Sequence, residues 1–196
     1  MGPGWYLIDE QEKKEVLSVF ESNEFSRYRF TDEIDGKNCS KVQQFEQAFS
    51  AYNSSKYVIG MNSCTSAIYT AILALGLKPG DEIIVPGYTF IASIAPILFA
   101  GCIPILTEID ESLTIDPNDI ECKISIKTKA IIAVHMLGVP CDMDNIMKIA
   151  TKYKLHVIED VAQANGASFQ NKKLGSIGDF GTFSLNGFKI ITAVLS

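Results

Sequence analysis

Two segments near the end of the chain contain residues that could do chemistry together. In 157–163 an apolar run ends at Asp160 and continues to Gln163, and in 181–189 a second apolar run is followed by Lys189. A carboxylate at the end of a buried strand needs a cationic partner, and a protonated pyridine nitrogen is one such partner. A neutral lysine amine can attack an aldehyde. These are the two groups that hold pyridoxal phosphate and use its ring as an electron sink.

Each of the two residues also has a plainer interpretation. An acid at the end of a strand is usually part of a salt bridge or a helix cap, and without Lys189 we would assign Asp160 such a role. Lys189 is the only ionisable side chain in 180–196, where desolvation favours the neutral amine. A lysine that reaches the surface from a short strand is also common. The combination of the two residues, rather than either one, favours the cofactor.

A helix start and a nearby serine could bind the phosphate of such a cofactor. Residues 63–66, Ser-Cys-Thr-Ser, lead into a predicted helix whose first backbone amides and positive dipole end attract an anion. Ser184 could add a hydroxyl. The segment lacks the glycines of a P-loop or a dinucleotide fingerprint, and taken alone it favours ordinary capping of a buried helix.

Aromatic, histidine and cysteine residues near other strand ends are weaker candidates. Phe90 or Tyr88 could stack on the cofactor ring, although core packing is the commoner role of such an aromatic. His135, alone on an apolar strand, is more often a hydrogen-bonded core residue. Cys64 has no base near it in the sequence, and we interpret it as a packing residue. The spacing of the histidines and cysteines matches no zinc site, so we predict no metal.

Short apolar runs alternate with helical patterns from residue 57 onward, which is typical of strand–helix units in a parallel sheet. We expect a three-layer α/β/α fold with a mostly parallel sheet and with the candidate residues at the carboxyl ends of the strands. The division is an N-terminal helical arm over 1–56 and a large domain over 57–196. The predicted strands are 57–61, 82–86, 103–107, 130–136, 156–159 and 181–185.

Capping signals and apolar periodicity place the helices. The apolar stripes of the first two helices should pack on a larger body. Pro96 within 89–100 predicts a kink or a late helix start, and a small hairpin is expected around 171–173. A helix is also expected over 64–75. The capping residues expected at the other helix starts are Asp9, Ser40, Asp116 and Asp142.

Composition and charge exclude several classes of protein. With 196 residues, 47% of them hydrophobic and 20% charged, the chain is typical of one soluble globular body. The net charge of −6 without a basic run argues against nucleic acid and anionic membranes as partners. Five cysteines without a C-x-x-C pair, and no signal peptide, indicate a reducing, cytoplasmic setting. The uncharged stretch 83–107 contains three prolines and does not suit a membrane-spanning helix.

Taken together, these segments resemble the DegT/DnrJ family of pyridoxal-phosphate-dependent sugar aminotransferases, which have the aspartate-aminotransferase-like fold. The likeness runs along essentially the whole chain. It depends on several separated motifs in the right order, each of them weak alone. These motifs are 41–46, 60–67, 80–86, 89–90, 135–138, 159–164, 166–167, 183–184 and Lys189.

The resemblance implies a role for each site residue. Lys189 would be the Schiff-base lysine and proton shuttle, and Asp160 would be the partner of the pyridine nitrogen. Gln163 would lie near the phenolic oxygen of the ring. The remaining contacts with pyridoxal 5′-phosphate would come from Phe90, stacked on the ring, and, around the phosphate, from Cys64, Thr65 and Ser184.

The reaction implied by the resemblance transfers an amino group from glutamate or glutamine to a keto group of a nucleotide-linked sugar or a cyclitol. A dehydratase branch of the family carries His at the lysine position, and Lys189 argues against that branch. Asn165 stands where relatives often have His. The full-length family form would be a homodimer acting on small-molecule substrates.

The family continues beyond the lysine segment into a further strand and a small C-terminal domain, whereas this chain reaches Ser196 soon after Lys189. We therefore expect a truncated aminotransferase, whose large domain lacks its last strand and the small domain, with impaired or absent turnover. Two alternatives remain open. One is a non-catalytic fragment or regulatory domain of the same fold, and the other is a different enzyme of this fold that uses the same cofactor, such as a lyase.

Overall fold

The computed structural model describes residues 3–23, 25–27 and 40–193. Its strands are β1 (Glu82–Pro86), β2 (Ile103–Thr107), β3 (Thr128–Val134), β4 (His156–Asp160), β5 (Ser168–Phe169), β6 (Lys172–Lys173) and β7 (Phe180–Thr182). Five of them form a parallel sheet in the order β2-β1-β3-β4-β7. The other two, β5 and β6, pair as an antiparallel hairpin. The predicted α/β fold with a mostly parallel sheet is confirmed, and so is the hairpin near 171–173.

The α-helices begin at the capping residues that the sequence indicates. Asp9 and Ser40 each form a capping box, and the side chains of Asp116 and Asp142 each accept a hydrogen bond from an amide in the first helical turn. The helices are α1 (Glu10–Ser22), α2 (Lys41–Asn53), α3 (Cys64–Ala74), α4 (Ala95–Phe99), α5 (Pro117–Lys123) and α6 (Met143–Tyr153).

Helices cover the sheet on both faces. Ile83 of β1 and Ile132 of β3 pack with α3 and α4. Their neighbours in the chain, Ile84 and Ile131, pack with α5 and α6 on the other side. Because successive side chains of a strand point to opposite faces, both faces of each central strand must be apolar. This explains why the central strands are continuous apolar runs rather than alternating ones.

The order of the strands reverses between β1 and β3, and this reversal positions the functional residues. The chain passes from β1 to β2 on one side and then builds β3, β4 and β7 on the other. At such a switch point the loops that follow neighbouring strands diverge and leave a crevice at the carboxyl ends. The segments that follow β1, β3 and β4 therefore meet at this one edge of the sheet.

The prediction of a strand over 57–61 is wrong. Among the described residues no strand pairs with this segment, and backbone without a ladder partner does not form a strand. Tyr57 and Ile59 are 77% and 65% exposed. The amide of Gly60 instead donates a hydrogen bond to the Glu46 carboxylate at 2.6 Å. A side chain from α2, rather than a sheet, holds the segment.

Other boundaries differ from the prediction by a few residues. The strand predicted over 130–136 ends at Val134, because the chain turns there into the 3-10 helix Met136–Gly138. The strand predicted over 181–185 is Phe180–Thr182. The helix containing Pro96 begins only at Ala95, which confirms the predicted late start.

The two N-terminal helices pack differently. In α2, the ring of Phe49 is buried and meets the ring of Phe183 at 4.9 Å between centroids. In α1 no residue is buried, and Val16 and Phe20 are more than half exposed. The expectation that both apolar stripes pack on a larger body is therefore met by α2 and not by α1 among the described residues. Across all the residues that the structure describes, no helix is long and apolar enough to cross a membrane.

Candidate functional site

Asp160 is the last residue of β4 and lies at the centre of the carboxyl-end crevice. It is 5% exposed. Its Oδ1 accepts a hydrogen bond from the amide of Ala162 at 3.1 Å, and its Oδ2 accepts one from the Ser93 hydroxyl at 2.7 Å. Among the described residues, no basic side chain forms an ion pair with it. The carboxylate is thus buried with neutral donors only, and such a group still favours a cationic partner.

Sequence reasoning missed Ser93. The residue is 1% exposed and lies in the 3-10 helix Ile91–Ser93, after the loop that follows β1. Its hydroxyl is 2.9 Å from the hydroxyl of Thr89. A usable signal was present, because Ser93 is the only polar side chain in the apolar run 91–100. A single hydroxyl in such a run requires a buried hydrogen-bond partner.

The N-terminus of α3 lies beside Asp160. Ser63 caps the helix, and its hydroxyl accepts a hydrogen bond from the amide of Ser66 at 3.1 Å. Within the described part of the chain, no acceptor meets the amides of Cys64 and Thr65. The Cys64 thiol is 4.0 Å from Asp160 Oδ1. Two free amides at a helix start and a buried carboxylate therefore border the same space, and the amides suit an anion.

The pKa of the Cys64 thiol depends on the charges around this space. Burial raises its pKa to about 12, and the negative charge of Asp160 contributes to the rise. The Thr182 hydroxyl and the positive charge of Lys189 oppose it. The charge of Lys189 thus reaches the Cys64 side of the crevice. The thiol stays protonated at neutral pH, which agrees with its interpretation as a packing residue rather than an activated nucleophile.

Lys189 lies on the segment that follows β7. The residue is half-buried, and its amide donates to the carbonyl of Asn186 at 2.8 Å. The hydroxyl of Ser184, which is buried, accepts a hydrogen bond from the Asn186 amide at 3.3 Å. The side chain of Ser184 and the backbone of Lys189 are therefore joined through Asn186 in one compact turn.

The N-terminal 3-10 helix Pro3–Leu7 holds this turn from outside. The amide of Gly4 donates to the carbonyl of Lys189 at 3.2 Å. The indole of Trp5 lies so close to Gly187 that a Cβ added there would be 2.5 Å from its Nε1. The start of the chain thereby packs on the segment that carries the lysine.

Gln163 follows β4, and its side chain reaches the turn at the carboxyl end of β3. Its Oε1 accepts a hydrogen bond from the amide of Leu137 at 3.0 Å, and its Nε2 is 3.4 Å from the sulfur of Met136. Leu137 has a φ of 54°, a left-handed conformation that is uncommon for a residue with a branched side chain. The side-chain amide of Gln163 holds this turn.

The aromatic candidates are exposed at the same edge. The Phe90 ring is 65% exposed and the Tyr88 ring is 44% exposed. The interpretation of these residues as core aromatics is therefore wrong. The carbonyl of Phe90 accepts a hydrogen bond from the amide of Ser93 at 2.9 Å, so the exposed ring and the hydroxyl that contacts Asp160 belong to one short turn.

His135 is a hydrogen-bonded core residue, which confirms that prediction. It is fully buried; its Nδ1 accepts a hydrogen bond from the Cys141 amide at 3.1 Å. The proton therefore lies on Nε2, which is 3.2 Å from a carboxylate oxygen of Glu159. Burial alone would raise the pKa of Glu159, but hydrogen bonds from His135, Gly175 and Gly178 outweigh it and lower the pKa. This pair anchors the loop before β7 and lies apart from the crevice contacts of Asp160.

The crevice suits a ligand that carries both a protonated ring nitrogen and an anionic group. Asp160 offers a buried negative charge that no basic side chain of the described segments pairs with, and the amides of Cys64 and Thr65 offer two donors. Lys189 offers an amine whose charge acts on the same space. A phosphorylated pyridine ring has these chemical properties, and the residues present fit it.

The chain matches a known protein family along most of its length. The family described as DegT/DnrJ/EryC1/StrS aminotransferase family matches residues 7–194. Over 152 residues the chain is 44% identical to GDP-perosamine synthase from Caulobacter vibrioides, and this match covers 77% of the chain and 41% of that protein.

Solved structures are similar over nearly the whole chain. The aminotransferase from Psychrobacter cryohalolentis gives a TM-score of 0.85 at 40% identity, covering 94% of this chain and 45% of that one. GDP-4-keto-6-deoxy-D-mannose-3-dehydratase from E. coli with bound hydrated PLP gives a TM-score of 0.84 at 31% identity, covering 96% of this chain and 47% of that one. The chain thus spans less than half the length of these relatives.

Proposed function

Because the chain belongs to the DegT/DnrJ/EryC1/StrS aminotransferase family, we propose that it binds pyridoxal 5′-phosphate. We propose further that it serves the transfer of an amino group from glutamate or glutamine to a keto group of a nucleotide-linked sugar or a cyclitol. One observation carries the proposal. Within the described residues, the buried carboxylate of Asp160 has no basic partner, and it lies beside two helix amides that no acceptor meets, in a space that the charge of Lys189 reaches.

The proposed cofactor contacts follow the positions of the side chains. Asp160 would accept a hydrogen bond from the ring nitrogen, and the exposed ring of Phe90 is free to stack on the cofactor. Gln163 would lie near the phenolic oxygen. The phosphate would meet the amides of Cys64 and Thr65 together with the hydroxyl of Ser184.

Each of these residues would perform a simple physical task. When bound, pyridoxal phosphate supplies an electron sink for the bonds of an amino acid. The Asp160 charge keeps a proton on the ring nitrogen. Lys189 Nζ would hold the cofactor and would move a proton at the substrate. The helix start of α3 fixes the phosphate and with it the position of the ring.

Titration with pyridoxal phosphate tests the proposal. The 196-residue chain should develop the visible absorbance band of lysine-bound cofactor, and Lys189→Ala should not develop it. Lys127→Ala is the matched control, because Lys127 is exposed and precedes β3 at the opposite edge of the sheet. A chain that develops no band would instead be the non-catalytic fragment or regulatory domain of the same fold.

A second candidate function has some support. The similarity to a dehydratase structure with bound PLP makes a dehydratase, or another lyase, the main enzymatic alternative. Lys189 argues for the aminotransferase, since the dehydratase branch is expected to carry His at that position. Incubation with glutamate separates the two, because an aminotransferase converts the cofactor to its amine form and a lyase of this kind does not.

The assembly and setting of the enzyme form part of the proposal. Exposed Tyr88 and Leu137 at the edge of the crevice support a homodimer in which a second copy covers them. Light scattering should give twice the chain mass of 21.5 kDa, and a monomer would contradict it.

The free thiols of Cys64, Cys102, Cys122 and Cys141 support a reducing, cytoplasmic setting.

Turnover and domain division remain predictions. All proposed site residues lie in 57–196, which supports a cofactor-binding large domain preceded by a helical arm. Impaired turnover of the 196-residue chain is tested by transamination with glutamate and a nucleotide-linked keto sugar. A rate comparable to that of a full-length relative would contradict the expected impairment.

A further inference from the structure

We propose that Ser93 is a positioning residue for the cofactor's ring nitrogen, acting through Asp160. The Ser93 hydroxyl, itself held by Thr89, orients the Asp160 carboxylate so that it can accept a hydrogen bond from the ring. The inference rests on the proposed function, because it requires a protonated pyridine nitrogen in the crevice. It adds two hydroxyl residues, Thr89 and Ser93, to which the sequence analysis assigns no role in the site.

The direction of the hydrogen bonds follows from counting protons. A carboxylate has no proton to give, so the Ser93 hydroxyl must donate its single hydrogen to Asp160 Oδ2, 2.7 Å away. Ser93 can then only accept from the Thr89 hydroxyl at 2.9 Å. The result is a directed chain from Thr89 to Ser93 to Asp160. Hydrogen bonds to a charged acceptor are the stronger kind.

The arrangement leaves part of the carboxylate available to a ligand. An ionised carboxylate has about four lone-pair sites. The Ala162 amide and the more distant Cys64 thiol donate to Oδ1, and the Ser93 hydroxyl donates to Oδ2. All three donors are neutral, so they fix the plane of the group and leave its charge uncompensated. A lysine or arginine in place of Ser93 would neutralise the charge that a protonated ring nitrogen needs.

The backbone keeps the hydroxyl in place. Ser93 is 1% exposed, and its amide bonds to the carbonyl of Phe90 at 2.9 Å. The buried Ser93 hydroxyl is therefore held in one orientation, between the side chains of Thr89 and Asp160. A cavity at Ser93→Ala would be small, since only one oxygen atom is removed.

The test compares two ligands with Ser93→Ala. The first is pyridoxal phosphate and the second is its analogue with carbon in place of the ring nitrogen, which cannot donate a hydrogen bond to Asp160. We expect the dissociation constant of pyridoxal phosphate to rise about tenfold, and that of the carbon analogue to change less than about twofold. Ser93→Thr, which keeps the hydroxyl, should restore the affinity for pyridoxal phosphate.

A matched control removes a comparable hydroxyl elsewhere. Thr128 is 4% exposed and donates to the carboxylate of Glu82 at 3.2 Å, at the opposite edge of the sheet. Thr128→Val should leave the affinity for both ligands unchanged. If Ser93→Ala fails to fold, Thr89→Val provides the same test, with an expected loss of about threefold for pyridoxal phosphate alone.

The outcomes separate this inference from the proposed function. An equal loss for both ligands would mean a purely structural role and would overturn the inference, as would unchanged affinity for pyridoxal phosphate. A wild-type chain that binds neither ligand would overturn the proposed function and remove the premise of the inference. A selective loss in Ser93→Ala, with rescue by Ser93→Thr, supports both.

Discussion

At the residue scale, the two adjacent acids of β4 have different tasks because they point to opposite faces of the sheet. Asp160 points toward α3 and meets Ser93 and the Cys64 thiol. Glu159 points the other way, is fully buried, and accepts hydrogen bonds from His135 and from three amides of the loop before β7. One acid is available to a ligand, and the other is part of the architecture.

Glu159→Gln should destabilise the protein strongly. The amide group of glutamine would present a donor where the carboxylate accepts from backbone amides, so at least one buried amide would lose its partner. We expect a loss of about 2–4 kcal/mol in the free energy of unfolding, measured by urea denaturation. Glu111→Gln is the control, since Glu111 is exposed. A loss no larger than that of the control would contradict this account.

Glu159 should also make the free energy of unfolding depend on pH. The folded-state pKa of Glu159 is below the ordinary value of 4.5, so the unfolded chain binds the proton first as the pH falls. The stabilisation is fully present above about pH 4.5 and is lost as the pH falls through the folded-state pKa. Urea denaturation between pH 6 and pH 3 should therefore show a steeper loss of stability below pH 4.5 in the wild type than in Glu159→Gln. Parallel curves would argue against it.

The cysteines should differ sharply in reactivity. Burial raises the pKa of the Cys64 and Cys141 thiols to about 12, whereas Cys122 is exposed. Because the thiolate is the reacting form, alkylation by iodoacetamide at pH 8 should be about 100-fold slower or more at the Cys64 and Cys141 thiols than at Cys122. Peptide mapping by mass spectrometry measures the three rates. Fast labelling of Cys64 in the folded protein would contradict the raised pKa of its thiol.

At the element scale, β7 and the loop before it are packed backbone against backbone. A Cβ added at Gly181 would lie 2.2 Å from the carbonyl oxygen of Gly175. The close approach of Gly181 to Gly175, together with the Glu159 hydrogen bonds, holds β7 beside β4. The position of the Lys189 segment therefore depends on two glycines.

Gly181→Ala should cost about 3 kcal/mol or more, because the new methyl group meets backbone that cannot move without displacing β7. Gly76→Ala is the matched control. Gly76 has a φ of 72° with open space around its Cβ position, so the cost there is only that of the left-handed conformation, about 1 kcal/mol. Thermal and urea denaturation of both variants measure the difference. Equal costs would show that the close approach is not rigid.

Local chemistry explains which elements the sequence predicts. The caps at Asp9, Ser40, Asp116 and Asp142 and the apolar runs of β1 and β2 are local patterns, and the structure follows them. The segment 57–61 has a strand-like pattern, but a strand also needs a partner that no local pattern supplies. Ser93 was missed for a related reason. Its partner Asp160 is 67 residues away in the sequence.

At the scale of the whole molecule, the site depends on segments from both ends of the described chain. The turn that carries Lys189 contacts Gly4 and Trp5 as well as the sheet. Asp160 and Lys189 could be proposed from the sequence because the chemistry of their residue types is distinctive. The contact of Trp5 with Gly187 has no such signature and emerges only from the fold.

Trp5→Ala should weaken cofactor binding without unfolding the sheet. Removing the indole frees the Gly187 side of the lysine turn, and we expect the dissociation constant of pyridoxal phosphate to rise about threefold. Tyr6→Ala is the control, because Tyr6 lies in the same 3-10 helix and is 78% exposed. Absorbance titration gives both constants. An equal effect of the two variants would show that the indole contact does not position the turn.

Trp5 is the only tryptophan of the chain, and its contact with Gly187 lies two residues from Lys189, the proposed cofactor-binding lysine. Ultraviolet-excited emission from the unmodified protein therefore originates at one known place, next to where a light-absorbing ligand would be attached. Quenching of that emission would report occupancy directly, without a label. The contact between the start of the chain and the lysine turn thus gives the molecule an optical probe of its own.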